Sequence, residues 1–150
     1  MKPIKVRIKK LVDNAVIPSY AKPGDAGLDL TATSMDIDKN GSIVFGTGLT
    51  MEIPDGYVGL VFPRRSVSNY DHVLSNCVGV INSGYRSEIT FKFKPLGRYG
   101  GLSEFEPKSY EVGERVAQII IMPIPSVSFV ESEELSQSER REGGYGSSGK

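Results

Sequence analysis

Residues 79–89 read GVINSGYRSEI, and this stretch decides how the rest of the chain is interpreted. Apolar residues alternate with others on both sides of it, at Cys77, Gly79, Ile81, Ile89, Phe91 and Phe93. The triplet Asn82-Ser83-Gly84 between them is typical of a tight turn, and Gly84 can supply the positive φ that such a turn often needs. The pattern predicts a β-hairpin.

The turn of this hairpin carries several kinds of chemical group. It has the amide of Asn82, the aromatic ring of Tyr85 and the opposite charges of Arg86 and Glu88. The unpaired backbone N–H and C=O groups at the edge of a hairpin can pair with a small planar ligand as they would with another strand. A purely structural hairpin has the same pattern, so these residues alone leave both interpretations open.

The composition describes a single neutral domain. The chain has 150 residues, enough to build one hydrophobic core, and its 18 Lys and Arg residues balance 18 Asp and Glu residues. A balanced charge gives no overall field that would attract nucleic acid or an acidic membrane. We therefore expect neither as a partner, although a polyanion could still bind locally.

The cysteine content and the apolar stretches predict a soluble, cytoplasmic protein. Cys77 is the single cysteine, so it cannot form an internal disulfide, and its apolar neighbours predict a buried, reduced thiol. A reactive pair with His72 is the less favoured alternative. The N-terminus has no apolar run of signal-peptide length, and the longest apolar stretch, 117–124, is too short to span a bilayer.

Short apolar alternations separated by turn signals recur along the chain. They lie at residues 4–8, 28–32, 42–53, 57–62, 112–122 and 127–130. At most one short helix is expected, within residues 66–73. Many short strands with almost no helix predict an all-β sandwich or barrel. We place this β-domain at residues 1–131.

Residues 132–150 differ from the rest of the chain because they are polar and cannot supply a core. A disordered tail is the simpler interpretation. A mobile lid is the alternative, because Tyr145 lies among glycines and serines downstream of Arg140 and Arg141, and these groups can cover a base and wrap a phosphate.

Two further groups of polar residues lie on or next to predicted strands. Arg64, Arg65 and Ser66 follow directly after the predicted strand that ends at Pro63. Guanidinium groups match phosphate oxygens in pairs, so this segment is either a phosphate cradle or a solvated basic bend. Asp29 lies on the strand face opposite Leu28 and Leu30, as an exposed carboxylate or as a ligand for a metal or phosphate.

Five short segments follow one another along the chain in a characteristic order. They are PGDAGLDL (23–30), PRRS (63–66), GVINSGYRSEI (79–89), GERVAQ (113–118) and REGGYGSSG (141–149). In sequence and spacing they resemble the five motifs of the trimeric dUTPase family, from about Lys22 to the C-terminus. The resemblance implies a jelly-roll β-barrel and a homotrimer with active sites shared between subunits. It also implies hydrolysis of dUTP to dUMP and pyrophosphate with Mg²⁺.

The resemblance assigns a role to each matching residue. The uracil and sugar would be contacted by Asn76, Gly79, Val80, Ile81, Asn82, Ile89 and Thr90. The phosphates and their waters would be contacted by Arg64, Arg65, Ser66 and Gln118. The C-terminal arm would close over the nucleotide with Arg140, Tyr145, Gly146, Ser147 and Ser148. Tyr85 would pack under the deoxyribose, Asp29 would hold Mg²⁺ through water, and Tyr145 would stack on the uracil. The catalytic positions would be Asn82, Gln118 and Arg64.

Four residues depart from the family pattern. Asn82 stands where the family has the Asp that activates the attacking water, and an amide cannot accept a proton as a base. Arg65 replaces a Ser, Ser87 replaces a Gly, and Arg141 replaces a Gly. Together these changes remove one negative charge and add two positive charges, which favours nucleotide binding over chemistry.

Three functions are compatible with these departures. The first is a dUTPase whose turnover is impaired by Asn82. The second is a non-catalytic dUTP-binding sensor or regulator, with a protein partner that the sequence does not identify. The third and least favoured is a dCTP deaminase on the same barrel, which would have to use Glu88 as its carboxylate.

Overall fold

The computed structural model describes residues 3–96 and 108–138, and these contain ten β-strands and one short 3₁₀ helix. The strands are β1 (Arg7–Lys10), β2 (Leu28–Thr31), β3 (Ser34–Ile37), β4 (Ile43–Gly46), β5 (Leu49–Glu52), β6 (Tyr57–Pro63), β7 (His72–Leu74), β8 (Gly79–Ile81), β9 (Thr90–Pro95) and β10 (Arg115–Pro123). The 3₁₀ helix, Arg65–Asn69, follows β6.

The strands form two four-stranded antiparallel sheets and one two-stranded pair. The first sheet has the order β2-β10-β6-β8, the second has the order β3-β4-β9-β7, and β1 pairs with β5. The predicted all-β, jelly-roll architecture is confirmed. In the part of the chain that the structure describes, no helix has the length and hydrophobicity needed to cross a membrane.

The core consists of the side chains that alternate inward from these strands. The largest fully buried apolar side chains are Leu30, Phe45, Leu49, Ile53, Ile89, Phe93, Val116 and Ile119. Phe45 and Phe93 meet edge to face with ring centroids 5.9 Å apart. Burying each such side chain contributes about 1.5–3 kcal/mol, so this cluster supplies much of the driving force for folding.

The prediction that residues 79–89 form a β-hairpin is wrong, because the two strands that flank the turn do not pair with each other. β8 pairs with β6, whereas β9 pairs with β4 and β7, so the connection between them crosses from one sheet to the other. Alternation alone fixes which face of a strand is buried but not which strand is its neighbour. The turn also does not use the expected glycine conformation, because Gly84 lacks a positive φ.

The two ends of the described chain also differ from expectation. The first strand begins at Arg7 rather than at Ile4, and the strand expected at 127–130 does not form. Phe129 in that segment is 95% exposed. A strand needs a neighbour for its backbone hydrogen bonds, and within residues 3–96 and 108–138 this segment has none.

Cys77 is exposed, which contradicts the predicted buried thiol. Its φ is +59°, and among the described residues it is the only non-glycine residue with a positive φ. The tight bend before β8 causes this conformation, because the Cys77 N–H donates to the Leu74 carbonyl at 3.0 Å. The bend turns the thiol away from the core.

Candidate active site

The first sheet carries a polar cleft at the edge formed by β2. The cleft has a volume of about 380 Å³, and we call it the Arg64 cleft. Its polar lining comprises Asp25, Asp29, Arg64, Arg65, Ser66 and Gln118. The sequence placed Asp29, Arg64, Arg65, Ser66 and Gln118 in one site, and the structure brings all five together although they come from three separate segments.

Asp29 is the charged centre of this cleft. Its Oδ1 accepts a hydrogen bond from Arg64 Nε at 2.7 Å, and its Oδ2 accepts one from Arg115 Nη1 at 3.0 Å. The side chains of Asp29 and Arg64 are 15% and 25% exposed, so their ion pair is better shielded from solvent than a surface pair. Arg64 is thereby held in one orientation before any ligand binds.

Arg115 is a site residue that the sequence reasoning missed. It lies three residues before Gln118 in the GERVAQ segment, at the start of β10. The sequence could have indicated Arg115, because it lies in the segment GERVAQ that also supplies Gln118. The register of β2 and β10, in which Asp29 faces Gln118, brings it to the carboxylate.

Gln118 is fixed by its surroundings on β10. Its Nε2 donates to the Pro63 carbonyl at 3.2 Å, which ties it to the end of β6. A Cβ at Gly27 would lie 2.4 Å from Gln118 Oε1. Glycine at position 27 therefore provides the room that the Gln118 amide occupies.

Ser66 enters the cleft from the 3₁₀ helix that follows Arg64. Arg64 itself is extended, with φ −78° and ψ 157°, and the chain turns immediately after it. Ser66 Oγ lies 3.0 Å from the hydroxyl of Tyr110, and Arg65 is exposed. Burial raises the pKa of Tyr110, although the Ser66 hydrogen bond and the nearby Arg64 charge oppose that rise.

A second cleft, which we call the β8 cleft, lies at the opposite edge of the same sheet. It has a volume of about 390 Å³. Its lining includes Asn76, Gly79, Val80, Ile81, Tyr85 and Thr90 over the apolar side chains of Val61, Leu74 and Phe91. β8 is the last strand of its sheet, so one of its two edges is not paired within the described chain. A planar ligand could pair with that edge.

The loop between β8 and β9 is fastened to residues 48–50, where the chain passes from β4 into β5. Tyr85 donates its hydroxyl hydrogen to the Glu88 carbonyl at 3.1 Å, and the Glu88 carboxylate accepts the Gly48 N–H at 2.7 Å. The Thr50 hydroxyl donates to the Arg86 carbonyl at 2.7 Å. These bonds position Tyr85 at the β8 cleft.

Two residues assigned to the base and sugar lie outside the lining of the β8 cleft. Ile89 is buried, its N–H donates to the Leu49 carbonyl at 2.9 Å, and its own carbonyl accepts from Thr47. Its backbone is thus already paired. Asn82 is exposed just after β8, its carbonyl accepts the Tyr85 N–H at 3.1 Å, and within the described residues its side chain makes no hydrogen bond.

Comparison with known proteins identifies the family of the chain. The family model for dUTPase matches residues 13–149. The chain belongs to the dUTPase family. By family it is a nucleotide hydrolase, and the resemblance noted in the sequence is confirmed.

Individual dUTPases cover nearly the whole chain. The deoxyuridine 5'-triphosphate nucleotidohydrolase of Cutibacterium acnes is 38% identical over 136 residues, which are 89% of this chain and 85% of the relative. A mutant dUTPase of Staphylococcus bacteriophage 80alpha, solved with dUpNHpp, has a TM-score of 0.79 and 30% identity over 97% of this chain and 98% of its own. A mutant dUTPase from phage phi11 of S. aureus, in which a structural Mg(II) ion is coordinated, has a TM-score of 0.71 and 25% identity over 87% and 98%.

The Arg64 cleft has limited means of holding a metal ion by itself. Among residues 3–96 and 108–138 there is no cluster of three or more His, Cys, Asp or Glu side chains suited to a cation. Asp29 is held by two guanidinium groups, but its carboxylate oxygens keep lone pairs that can accept water. These residues therefore fit Mg²⁺ only through its water shell, an arrangement common for this ion.

The C-terminal residues that were assigned to the nucleotide site lie outside the described residues. They are Arg140, Tyr145, Gly146, Ser147 and Ser148, and Arg141, a departure from the family pattern, lies outside them too. Ser87, which replaces a glycine of the family pattern, lies within the described residues and has no positive φ. Replacing a glycine with serine there introduces no backbone strain of the left-handed kind.

Proposed function

We propose that this chain binds dUTP and hydrolyses it slowly to dUMP and pyrophosphate, with Asn82 limiting the rate. Membership of the dUTPase family is the observation that carries the proposal. In the reaction, a water oxygen bonds to the α-phosphorus and the bond to the α–β bridging oxygen breaks, releasing pyrophosphate. The water must lose a proton, and the Asn82 amide cannot accept it.

The β8 cleft is suited to deoxyuridine. The free edge of β8 offers backbone donors and acceptors in fixed positions, and cytosine would reverse one donor–acceptor pair. The narrow space beside the base would exclude the methyl group of thymine. Tyr85 would lie under the deoxyribose and leave no room for a 2′-hydroxyl, and the bonds that fasten its loop support this role.

The Arg64 cleft is suited to the triphosphate. Arg64 is anchored by Asp29, so its guanidinium needs little reorganisation to meet a phosphate oxygen. Arg65, Ser66 and Gln118 add a second cation and polar donors along the same wall. When bound, Mg²⁺ would neutralise phosphate charge, with Asp29 contacting its waters.

A homotrimer would combine these two half-sites. The two clefts lie at opposite edges of one sheet, separated by the strands β10 and β6, so one chain does not bring them together. Extended residues after β10 expose apolar side chains that an oligomer would cover: Ile124, Val127, Phe129, Val130 and Leu135. Such a concentration of exposed apolar groups is typical of an interface. We further propose that residues 132–150 form the arm that completes the site.

Pyrophosphate release from dUTP in the presence of Mg²⁺ tests the proposal, by comparing the unsubstituted chain with Asn82→Asp. We expect Asn82→Asp to raise turnover by about 100-fold or more, because it restores a general base. Asn76→Asp makes the same amide-to-carboxylate change at a residue that lines the β8 cleft, so it is the matched control and should not raise turnover. Full activity of the unsubstituted chain would contradict the assignment of Asn82.

A non-catalytic dUTP sensor is the second candidate. The loss of one negative charge at Asn82 and the gain of positive charge at Arg65 favour binding of a polyanion without chemistry. Both candidates bind dUTP, so pyrophosphate release, measured beside titration with dUTP, decides between the two. Binding by both proteins with no pyrophosphate release from either over hours would establish the sensor. A regulatory protein partner and a cytoplasmic location stay predictions of the sequence.

A further inference from the structure

Tyr110 lies directly behind the Arg64 cleft without lining it. Its side chain is 3% exposed, and its hydroxyl is 3.0 Å from Ser66 Oγ. Ser66 does line the cleft. The tyrosine therefore contacts the cleft through one serine hydroxyl, across 44 residues of sequence.

The aromatic cluster around Tyr110 holds its ring in place. Its centroid is 4.0 Å from that of Tyr70, 5.4 Å from that of His72 and 6.2 Å from that of Phe93. Packing on several sides leaves the ring little freedom to reorient. The position of its hydroxyl is consequently set by the core rather than by the ligand.

The chemistry of the two hydroxyls favours one direction for their hydrogen bond. A phenol is more acidic than an alkyl alcohol, so it is the better donor. Ser66 is the only hydrogen-bond partner of the Tyr110 hydroxyl among the described residues. If Ser66 donated, the phenol hydrogen would be buried without an acceptor, at a cost of about 1–3 kcal/mol. The tyrosine therefore donates, and the Ser66 hydrogen remains free to point into the cleft.

We propose that Tyr110 is a positioning residue that directs the Ser66 hydroxyl to donate to a phosphate oxygen of the bound nucleotide. This inference rests on the proposed function, which places the phosphates in the Arg64 cleft. The backbone supports the geometry, because the Val67 N–H donates to the Arg64 carbonyl at 2.9 Å and fixes the turn that carries Ser66. Tyr110 acts on the ligand only through this serine.

A double-mutant cycle with Tyr110→Phe and Ser66→Ala tests the inference. The affinities of the full-length protein for dUTP, inorganic pyrophosphate and deoxyuridine are measured for each variant. We expect Tyr110→Phe to weaken binding of dUTP and pyrophosphate about 5- to 10-fold and to leave deoxyuridine binding unchanged. In the Ser66→Ala background, Tyr110→Phe should have no further effect on either phosphate ligand.

Tyr70→Phe is the matched control because it removes a hydroxyl from the same aromatic cluster. The Tyr70 hydroxyl donates to Glu114 at 3.3 Å rather than to a residue of the cleft. Its loss should change the affinity for pyrophosphate by less than about twofold. Thermal unfolding of all four variants separates loss of fold from loss of positioning.

The possible outcomes are distinct. If Tyr110→Phe leaves dUTP affinity unchanged, weakens deoxyuridine binding equally, or acts as strongly when Ser66 is already Ala, the positioning role is overturned. If the unsubstituted chain binds neither dUTP nor pyrophosphate, the proposed function fails and this inference fails with it. Binding of both by the unsubstituted chain, with no differential effect of Tyr110→Phe, removes only the inference.

Discussion

The carboxylate of Asp29 holds the guanidinium of Arg64, with Oδ1 2.7 Å from Nε, while Arg115 binds the other carboxylate oxygen. A carboxylate engaged by two cations is chiefly a support for them. Its contact with hydrated Mg²⁺ stays a prediction, and its effect on where Arg64 points is the role that the hydrogen bonds support.

We expect Asp29→Asn to weaken dUTP binding by about tenfold, because charge-assisted hydrogen bonds to Arg64 and Arg115 become ordinary ones. Calorimetric titration at low and high Mg²⁺ measures the change. Asp25→Asn in the same cleft is the control, because the Asp25 carboxylate bonds only the Lys22 N–H among the described residues. Recovery of Asp29→Asn affinity in excess Mg²⁺ would assign the carboxylate to the metal instead.

Gly27→Ala is expected to weaken dUTP binding while leaving the fold intact. The new Cβ would displace the Gln118 amide, whose end is flexible, and would disturb its bond to the Pro63 carbonyl. We expect a loss of about 1 kcal/mol in substrate affinity, measured by titration with dUTP, and little change in melting temperature. In a Gln118→Ala background, where there is no amide to displace, Gly27→Ala should have no further effect. An equal effect in both backgrounds would contradict this account.

Glu88→Ala should loosen the loop that carries Tyr85. The change removes the acceptor of the Gly48 N–H, and we expect a stability loss of about 1–2 kcal/mol together with weaker deoxyuridine binding. Glu88→Gln keeps an acceptor oxygen and should recover most of both losses. Chemical denaturation and nucleoside titration measure the two effects. A Glu88→Gln variant as weak as Glu88→Ala would show that the charge, not the hydrogen bond, matters.

His72 should make the protein sensitive to acid. It is the only histidine, it is buried, and neither ring nitrogen has a hydrogen-bond partner among the described residues. Burial lowers its pKa below the ordinary value of 6.5, and nearby Asp71 opposes this only in part. The folded protein thus keeps the imidazole neutral while the unfolded chain takes up a proton.

The lowered pKa of His72 makes the folded protein less stable in acid, because the unfolded chain binds the proton more tightly. Below about pH 6.5 the unfolded state binds more protons, so stability falls as the pH falls, by up to about 1.4 kcal/mol per pH unit until the folded imidazole also titrates. Unfolding by denaturant at pH 7.5 and pH 5.5 measures this slope. His72→Phe should show a smaller loss between the two values, and an equal loss in both proteins would refute the role of His72.

The positions of polar residues on strands were predictable from the sequence, but their partners were not. Alternation placed Asp29 on the face opposite Leu28 and Leu30, and Leu30 is indeed fully buried. The contact of Asp29 with Arg115 spans 86 residues, and no local pattern encodes such a distance. The split of β8 and β9 between two sheets was missed for the same reason.

The residues of the candidate site could be predicted where they lie within the five sequence motifs. They brought Arg64, Ser66 and Gln118 to one cleft, as expected. Tyr110 was missed because it lies outside the quoted segments and reaches the cleft only through Ser66. The exposed thiol of Cys77 was missed because an apolar alternation does not show where the backbone turns left-handed.

The pairing of β2 with β10 has a consequence for how the protein folds. These strands hold Asp29 and Gln118 opposite each other, so the cleft exists only after distant parts of the chain have met. Chains dominated by such non-local pairing fold on the order of milliseconds to seconds. A nucleotide that needs both strands binds the completed fold and not the unfolded chain. Ligand binding should therefore slow unfolding. During refolding, the time at which nucleotide binding returns would show when β2 pairs with β10.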